Sequence, residues 1–264
     1  MQGVTYQTQI TNLYNAINEL TKNPTSTIAR SSLIQNATAF IDRSQAIYSG
    51  LKDYQITLNT EVSSMVDKIN ELGQKIYSLN KSISKVEAGG VERANDLRDT
   101  RDIALDELSQ YLDIDYYETT DGQIIISAEN IPFVSKSEVN TMDVRQEGQY
   151  GLLIPEWTAY EKDVFSFEKA ASNANNNDKG KLKGLLVARG TIDVNYQDVP
   201  VMPDKSDYDL TTAEGMAQYN SAMDDYQKQQ DYYNKYIEPS AILSAIAGFD
   251  KLVNGIVTAL NDVL

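Results

Sequence analysis

Residues 62–90 read VSSMVDKINELGQKIYSLNKSISKVEAGG, and this stretch decides the fold class. Apolar side chains recur in it at spacings of three and four residues, which places them on one face of a helix. They are Val62, Met65, Ile69, Leu72, Ile76, Leu79, Ile83 and Val86. Gly73 lies inside the run and weakens the helix locally. Ala88-Gly89-Gly90 ends the helix.

The same spacing continues upstream, so this stretch is the second half of a much longer helix. The upstream members are Leu33, Ala37, Phe40, Ser44, Ile47, Leu51, Tyr54 and Leu58. With more than fifty residues and a rise of 1.5 Å per residue, the helix should be roughly 80 Å long. Two successive spacings of four, from Tyr54 through Leu58 to Val62, relax a left-handed supercoil and predict a straighter rod there.

Helices with the same pattern are predicted at both ends of the sequence. Asn23-Pro24 separates the first of them from the long helix. The first stripe is Tyr6, Ile10, Leu13, Ile17 and Leu20, and the last is Ile242, Ile246, Phe249, Val253, Ile256, Leu260 and Val263. A shorter helix is predicted from Asn95 to Leu112. Because each helix has a single apolar face, we expect an elongated bundle.

After Leu112 the apolar period changes to two, which is typical of strands. Ile114–Tyr117, an Asp121-Gly122 turn and Gln123–Ile126 predict a hairpin. Further strands are predicted near residues 131–134, 139–146 and 150–154, a polar loop over 172–180, and a helix from about Leu182. Trp157, the only tryptophan, is predicted to fill the core or anchor a loop in this segment.

The fold is therefore predicted to be mainly α, an elongated bundle of long heptad-patterned helices with an inserted β-rich subdomain. The segments are the first part of a helical rod (1–112), a small β-rich subdomain (113–178), a helix returning to the rod (179–190), a Tyr/Asp-rich insert (191–236) and the last part of the rod (237–264). Within the insert, Met216, Tyr219 and Met223 begin a modest stripe that continues to Tyr226 and Tyr233. Packing is the favoured role of that stripe, with a partner-binding face as the alternative.

Composition excludes several function classes. The chain has 264 residues, a formal net charge of −15 and neither cysteine nor histidine. Disulfides, thiolate catalysis and histidine acid–base or metal chemistry are therefore impossible. The basic residues are scattered among acids, so we predict no nucleic-acid or membrane binding. No apolar run approaches the roughly 20 residues that span a bilayer, and no signal peptide is apparent.

The stretch ANDLRDTRDIALDELS, residues 94–109, is the one candidate site for chemistry. Asp96, Asp99 and Asp102 form a carboxylate row that could hold Mg²⁺ or Ca²⁺. The favoured interpretation is an ordinary helix start, with Asn95 as N-cap, acids near the positive end of the dipole, and Arg98 paired with Asp102. Dinucleotide-binding, P-loop and nucleophile-elbow motifs are all absent. We therefore predict no catalytic residue, no cofactor, no metal and no enzyme.

The same stretch carries a family resemblance. The motif Asn95-Asp96-Leu97-x-Asp99-x-Arg101-Asp102-x4-Glu107-Leu108-Ser109 resembles that of flagellar hook-associated proteins of the FlgK type, the first hook–filament junction proteins. Ile69, Asn70, Ile76, Leu79, Asn80 and Ile83 of the preceding helix fit the same family pattern, as do Pro24 with Arg30, Asp121-Gly122, the segment Gly180–Arg189 and Asn254. Arg98 and Thr100 replace the commoner Leu and Gln, and residues 191–236 have no counterpart.

The resemblance implies a structural protein of the bacterial flagellum, secreted unfolded through the flagellar type III export apparatus and extracellular. Its implied partners are the flagellar hook protein, the second junction protein and copies of itself, with an export chaperone bound through a missing C-terminal segment. We expect the sequence to be a core that lacks the family's terminal coiled-coil segments, and to be a monomer by itself. The motif helix would pin the long helix to the β segment, with Asp99, Arg101 and Asp102 in a polar network.

Three alternatives remain open. The first is another flagellar axial protein, namely the second junction protein or a flagellin-like subunit. The second is a carboxylate-dependent metal-binding enzyme built on the acidic row. The third is an unrelated coiled-coil binding module, such as a tail-fibre or secretion-tip protein.

Overall fold

A long helix runs through the computed structural model, which describes residues 5–90, 93–148, 151–167 and 179–263. This helix, α2, spans Thr27–Glu87, and its 61 residues make it about 90 Å long. The other helices in the described ranges are α1 (Tyr6–Lys22), α3 (Asn95–Ser109), α4 (Lys181–Arg189), α5 (Ala213–Tyr236) and α6 (Ala241–Val263). The predicted fold class, mainly α with an inserted β-rich part, is confirmed.

The buried face of α2 follows the predicted stripe except at a few positions. The prediction was wrong at Tyr54, which is 57% exposed, because Gln55 occupies the buried position instead and is only 2% exposed. The cause is a hydrogen bond, 3.1 Å long, that the Gln55 amide donates to the carbonyl of Arg189. Val86 is also exposed, and Val66 is buried more deeply than its neighbour Met65.

Two three-stranded antiparallel sheets lie between α3 and α4 in the sequence. The first contains β1 (Ile114–Glu118), β2 (Ile124–Ala128) and β3 (Ile131–Val134), and the second contains β4 (Met142–Glu147), β5 (Leu152–Trp157) and β6 (Lys162–Asp163). The predicted hairpin is confirmed, with Glu118 opposite Ile124 across the turn. The strand predicted over 139–146 begins only at Met142, and β6 was not predicted. Residue 150 and most of the predicted polar loop lie outside the described residues.

The main hydrophobic core lies between α2, α3, α4 and the two sheets. Trp157 is fully buried at the end of β5, and its ring centroid lies 5.7 Å from that of Phe133. The prediction that Trp157 fills the core is confirmed. Phe133 in turn packs on the backbone of α2 at Gly73, where an added Cβ would collide with the ring. Gly73 therefore provides a close approach between helix and sheet.

The two ends of the described chain meet in a second bundle. Leu13 of α1 and Phe40 of α2 are buried there, and Val253 and Leu260 of α6 pack against them. Helix α6 is long and apolar enough, by length and composition, to cross a membrane. The expectation that no apolar run reaches that length was therefore wrong, because the polar residues of α6 are mostly small and uncharged. A bundle helix satisfies the same criterion, so this observation is weak evidence for a span.

Residues 196–236, called the acidic arm below, form a segment with little core of its own. Short 3-10 turns at Tyr196–Asp198 and Lys205–Asp207 precede α5. The predicted amphipathic helix exists. Four members of its stripe are half-buried, namely Tyr219, Met223, Tyr226 and Tyr233, whereas Met216 is 50% exposed. The molecule as a whole has an accessible surface of 15815 Å². A compact protein of 29.4 kDa would expose about 11,500 Å², so the molecule is elongated.

Candidate functional site: the polar joint between the long helix and the sheets

The motif residues 95–108 lie on α3, but few of them point inward. Asn95, Asp96, Asp99 and Asp102 are exposed, Leu97 is half-buried and Leu108 is buried in the core. The N-cap is Ala94 and not Asn95, so that prediction was wrong. No side chain caps this end of the helix; the Ala94 N–H donates to the Glu87 carboxylate at 3.0 Å.

Arg101 is the buried polar residue of the motif, at 1% exposure. Its Nη1 donates to the Gly122 carbonyl at 2.6 Å and to Asn80 Oδ1 at 3.2 Å. The carboxylates of Glu118 and Asp102 are more distant, at 3.8 and 3.9 Å. Burial lowers the pKa of the guanidinium, although Arg remains charged at neutral pH. Arg101 therefore holds the β1–β2 turn against α2 mainly through neutral oxygen atoms.

A surface ion-pair cluster covers this joint. Arg98 Nη2 lies 2.6 Å from the Glu87 carboxylate, and its Nη1 lies 2.6 Å from that of Glu118. The predicted pairing of Arg98 with Asp102 was wrong, because Glu87 and Glu118, from neighbouring elements, accept hydrogen bonds from two edges of the guanidinium. The hydrogen bond from Arg98, with that from the Ala94 N–H, lowers the pKa of Glu87 to about 2. The hydrogen bonds that Arg98 donates to Glu87 and Glu118 raise the pKa of its guanidinium. The cluster links the end of α2 to α3 and β1.

Asn80 is the centre of the joint and is fully buried. Its Nδ2 donates to the Ile124 carbonyl at 2.7 Å, and its Oδ1 accepts from the Ile124 N–H at 3.0 Å. The amide thus pairs with β2 as a neighbouring strand would. The preceding turn requires a glycine, since Gly122 has φ 75° and an added Cβ would lie 2.8 Å from Arg98 Nη2.

Two more asparagines of α2 repeat this pairing with the second sheet. Asn70 exchanges both bonds with Met142 of β4, at 2.8 and 2.9 Å. Asn59 donates to the Gly151 carbonyl at 3.1 Å and accepts from the Leu153 N–H at 2.8 Å. These three amide pairs, centred on Asn59, Asn70 and Asn80, fix both sheets to one helix.

Arg189 completes the third pair in the way that Arg101 completes the first. It is fully buried at the end of α4, and its Nη1 donates to Asn59 Oδ1 at 2.6 Å and to the Leu153 carbonyl at 2.7 Å. Burial lowers its pKa to about 10. The joint therefore contains two similar units, in each of which a buried arginine binds an asparagine oxygen and a nearby backbone carbonyl. That carbonyl belongs to the turn residue Gly122 in the first unit and to the strand residue Leu153 in the second.

The geometry offers little for catalysis or metal binding. Among the residues described, no three acids lie close enough to hold a metal ion together. Asp99 and Asp102 are not brought into a common network: Asp102 reaches Arg101 only at 3.9 Å, and the described residues provide no partner for the Asp99 side chain. Glu107 instead pairs with Lys68 of α2 at 3.4 Å. The arrangement can hold elements together, and it presents no activated nucleophile or paired acid and base.

The sequence contained a signal for the asparagines, although a search for apolar stripes misses it. Asn80 lies four residues after Ile76 and three before Ile83, a position that the helical period places on the buried face. A polar residue at such a position must find hydrogen-bond partners in the core. Arg189 offered no comparable signal, because a basic residue at a helix C-terminus is ordinarily an exposed cap.

Comparison with known proteins identifies relatives of the chain. A family model described as the helical domain of flagellar hook-associated protein FlgK matches residues 2–200. Flagellar hook-associated protein 1 of Bacillus subtilis strain 168 is 26% identical over 245 residues, which covers 83% of this chain and 46% of the relative. The protein of the same name from Escherichia coli K12 is 27% identical over 124 residues, covering 47% and 23%.

A solved structure, that of the flagellar hook junction protein FlgK from Burkholderia pseudomallei, has the same fold over 70% of this chain and 33% of its own length. The TM-score is 0.58 and the sequence identity 18%. The chain therefore spans about half the length of the B. subtilis relative and less of the other two.

Proposed function

Because the chain belongs to the family of the flagellar hook-associated protein FlgK helical domain, we propose that it forms the body of a hook–filament junction subunit. The family match over residues 2–200 carries this proposal. The proposed role is structural, without catalysis, and the proposed location is the flagellar axis outside the cell, reached through the type III export apparatus.

The architecture suits such a role. A junction subunit must transmit force along and across the axis without unfolding, and a 61-residue helix provides the stiff element. The three amide pairs and the two buried arginines would keep the sheets in a fixed position on that helix. We propose that this is the role of the motif residues: Arg101 and Leu108 order the joint between α2, α3 and β2, while the exposed Asp96 and Asp99 favour the start of α3.

The proposed partners follow from the family. They are the flagellar hook protein on one side, the second junction protein on the other, and copies of this chain around the axis. An export chaperone is proposed as a further partner before assembly. By itself the chain is proposed to be a monomer.

Immunogold electron microscopy tests the location. Antibodies raised against this chain should label flagella of the bacterium that encodes it in one narrow band, where the curved hook meets the filament. Label along the whole filament would instead favour a flagellin-like subunit. The deletion strain serves as the control: if its flagella are still labelled at that band, the antibodies cross-react with another protein. The proposal would be contradicted if intact wild-type flagella carried no label although the same antibodies recognise the denatured subunit.

A further inference from the structure

The acidic arm, residues 196–236, has a surface that the fold does not use. Of the 24 residues of α5, which all lie in the described range 179–263, only Gly215 is buried. Most of the stability of a helix in a protein comes from the packing of its apolar face. The helix is held at its start by Thr212 and by Tyr208, whose ring centroid lies 5.5 Å from that of Tyr219. At its end Tyr233 packs on the cluster around Ile237.

The arm carries apolar side chains that are exposed at its start and half-buried along α5. Val201 and Met202 are 66% and 60% exposed, and Met216 is 50% exposed at the start of α5. From Met216 the half-buried side chains of Tyr219, Met223 and Tyr226 continue the stripe along the helix. A continuous apolar stripe is unusual on a surface that stays in water. Tyr and Met are also the side chains that adapt best to a protein partner.

The charge of the arm indicates what kind of partner fits. Eight carboxylates and three lysines give these 41 residues a net charge of −5, a third of the total of −15. The lysines are already engaged: Lys228 pairs with Asp225, and Lys205 and Lys235 lie over tyrosine rings at 6.0 and 4.8 Å from the centroids. By contrast, the exposed carboxylates of Asp207, Glu214 and Asp224 have no hydrogen bond or ion pair with any described residue.

We propose that the acidic arm is a docking surface for a basic amphipathic helix of another protein. The apolar face of that helix would lie on the Met/Tyr stripe of α5, as in helix-in-groove recognition. Its Lys and Arg side chains would pair with the open carboxylates and lie over tyrosine rings, as Lys205 and Lys235 already do. A second copy of this chain is a poorer occupant, because its own arm carries the same negative charge. The inference does not depend on the proposed flagellar role.

A matched set of peptides tests the proposal on the whole 264-residue chain. The probe is a fluorescent peptide of roughly 18 residues with leucine on one helical face and lysine on the other. One control has the same composition scrambled, so that no apolar face forms. The other has glutamate in place of lysine. Fluorescence anisotropy should show binding of the probe alone, and the affinity should fall with added salt.

Two pairs of variants then locate the site. The apolar arm variant is Met202→Ser with Met216→Ser. Its control is Ile103→Ser with Tyr117→Ser, two residues on α3 and β1 that are at least as exposed. The charge pair is the triple variant Asp207→Asn, Glu214→Gln and Asp224→Asn against the control Asp99→Asn, Asp106→Asn and Asp115→Asn. Each arm variant should weaken binding at least about tenfold, and each control less than about twofold. Circular dichroism shows that every variant is folded.

Three results would overturn the proposal. The first is an absence of probe binding at about 100 μM, a concentration at which even a weak specific complex forms. The second is an equal loss of binding in the arm variants and their controls, which would mean non-specific attraction to an acidic protein. The third is a concentration-dependent dimer that the apolar arm variant dissociates, which would make a second copy the occupant.

Discussion

At the scale of single residues, the joint depends on amides that behave as backbone. An asparagine side chain presents one donor and one acceptor in a plane, which matches the N–H and C=O of a strand residue. In Asn80 both are used on Ile124, and Oδ1 also accepts from Arg101. An aspartate would lose the donor, and a leucine would lose both.

Replacing Asn80 should therefore be costly. We expect Asn80→Leu to lower the free energy of unfolding by about 3 kcal/mol, because the Ile124 N–H and an Arg101 N–H would be buried without partners. Urea unfolding measures this loss. The matched control is Asn36→Leu on the same helix, since Asn36 bonds only to Ser32 one turn away. A control that loses as much stability as Asn80→Leu would remove the special role of the joint.

The family motif separates into residues that matter for stability and residues that do not. We expect Arg101→Ala to destabilise the fold by about 3 kcal/mol and Asp99→Asn to change stability by less than about 0.5 kcal/mol. Thermal unfolding compares the two, with the exposed Arg43→Ala as a control for the loss of a positive charge. A large effect of Asp99→Asn would restore the network predicted from the sequence.

The depressed pKa of Glu87 gives a pH dependence with a definite sign. Its folded-state pKa is about 2, against 4.5 for the free group. The unfolded chain therefore binds the proton more readily, so the contribution of Glu87 is complete above about pH 4.5 and is lost as the pH falls towards 2. The melting temperature should decline over this window, and Glu87→Gln should flatten part of that decline. Parallel curves for the two proteins would show that the ion pair adds nothing to stability.

At the scale of elements, α2 contains two glycines that should respond in opposite ways to alanine. Gly50 has open space around it, whereas Gly73 lies against the ring of Phe133. Helix propensity alone favours alanine by about 1 kcal/mol. We expect Gly50→Ala to gain about that amount and Gly73→Ala to lose about 2 kcal/mol by overpacking. Differential scanning calorimetry of both variants checks the difference, and a gain in both would mean that the ring moves away freely.

Most helices and strands could be predicted from the spacing of apolar residues, because each spacing places these residues on one face of only one type of element. The hairpin at Asp121-Gly122 and the long helix are of this kind. Hydrophobic periodicity could not predict the burial of Gln55 or Arg189, because that burial depends on hydrogen-bond partners distant in sequence. It also could not predict which acids pair with Arg98. The site was thus recognised by its motif, whereas the pairing of its asparagines with the strand backbones became visible only in three dimensions.

At the scale of the whole molecule, the shape is a rod with sheets on one side and a bundle at one end. Small-angle X-ray scattering should give a longest dimension of at least about 90 Å, set by α2 alone, and a mass of one chain. A rounded particle would mean that α2 breaks in solution. A larger mass that falls on dilution would show self-association.

The three amide pairs also turn the long helix into a spacer of fixed length. Asn70 and Asn80 each pair with one strand residue, and Asn59 pairs with the backbone of Gly151 and Leu153. Their separations along the helix must therefore match the separations between those backbone segments. Inserting one residue between two of them would turn the next asparagine by about 100° and shift it by about 1.5 Å, away from its strand. Chains built on this plan can thus exchange the exposed side chains between residues 59 and 80, but they can change their residue count only outside that interval.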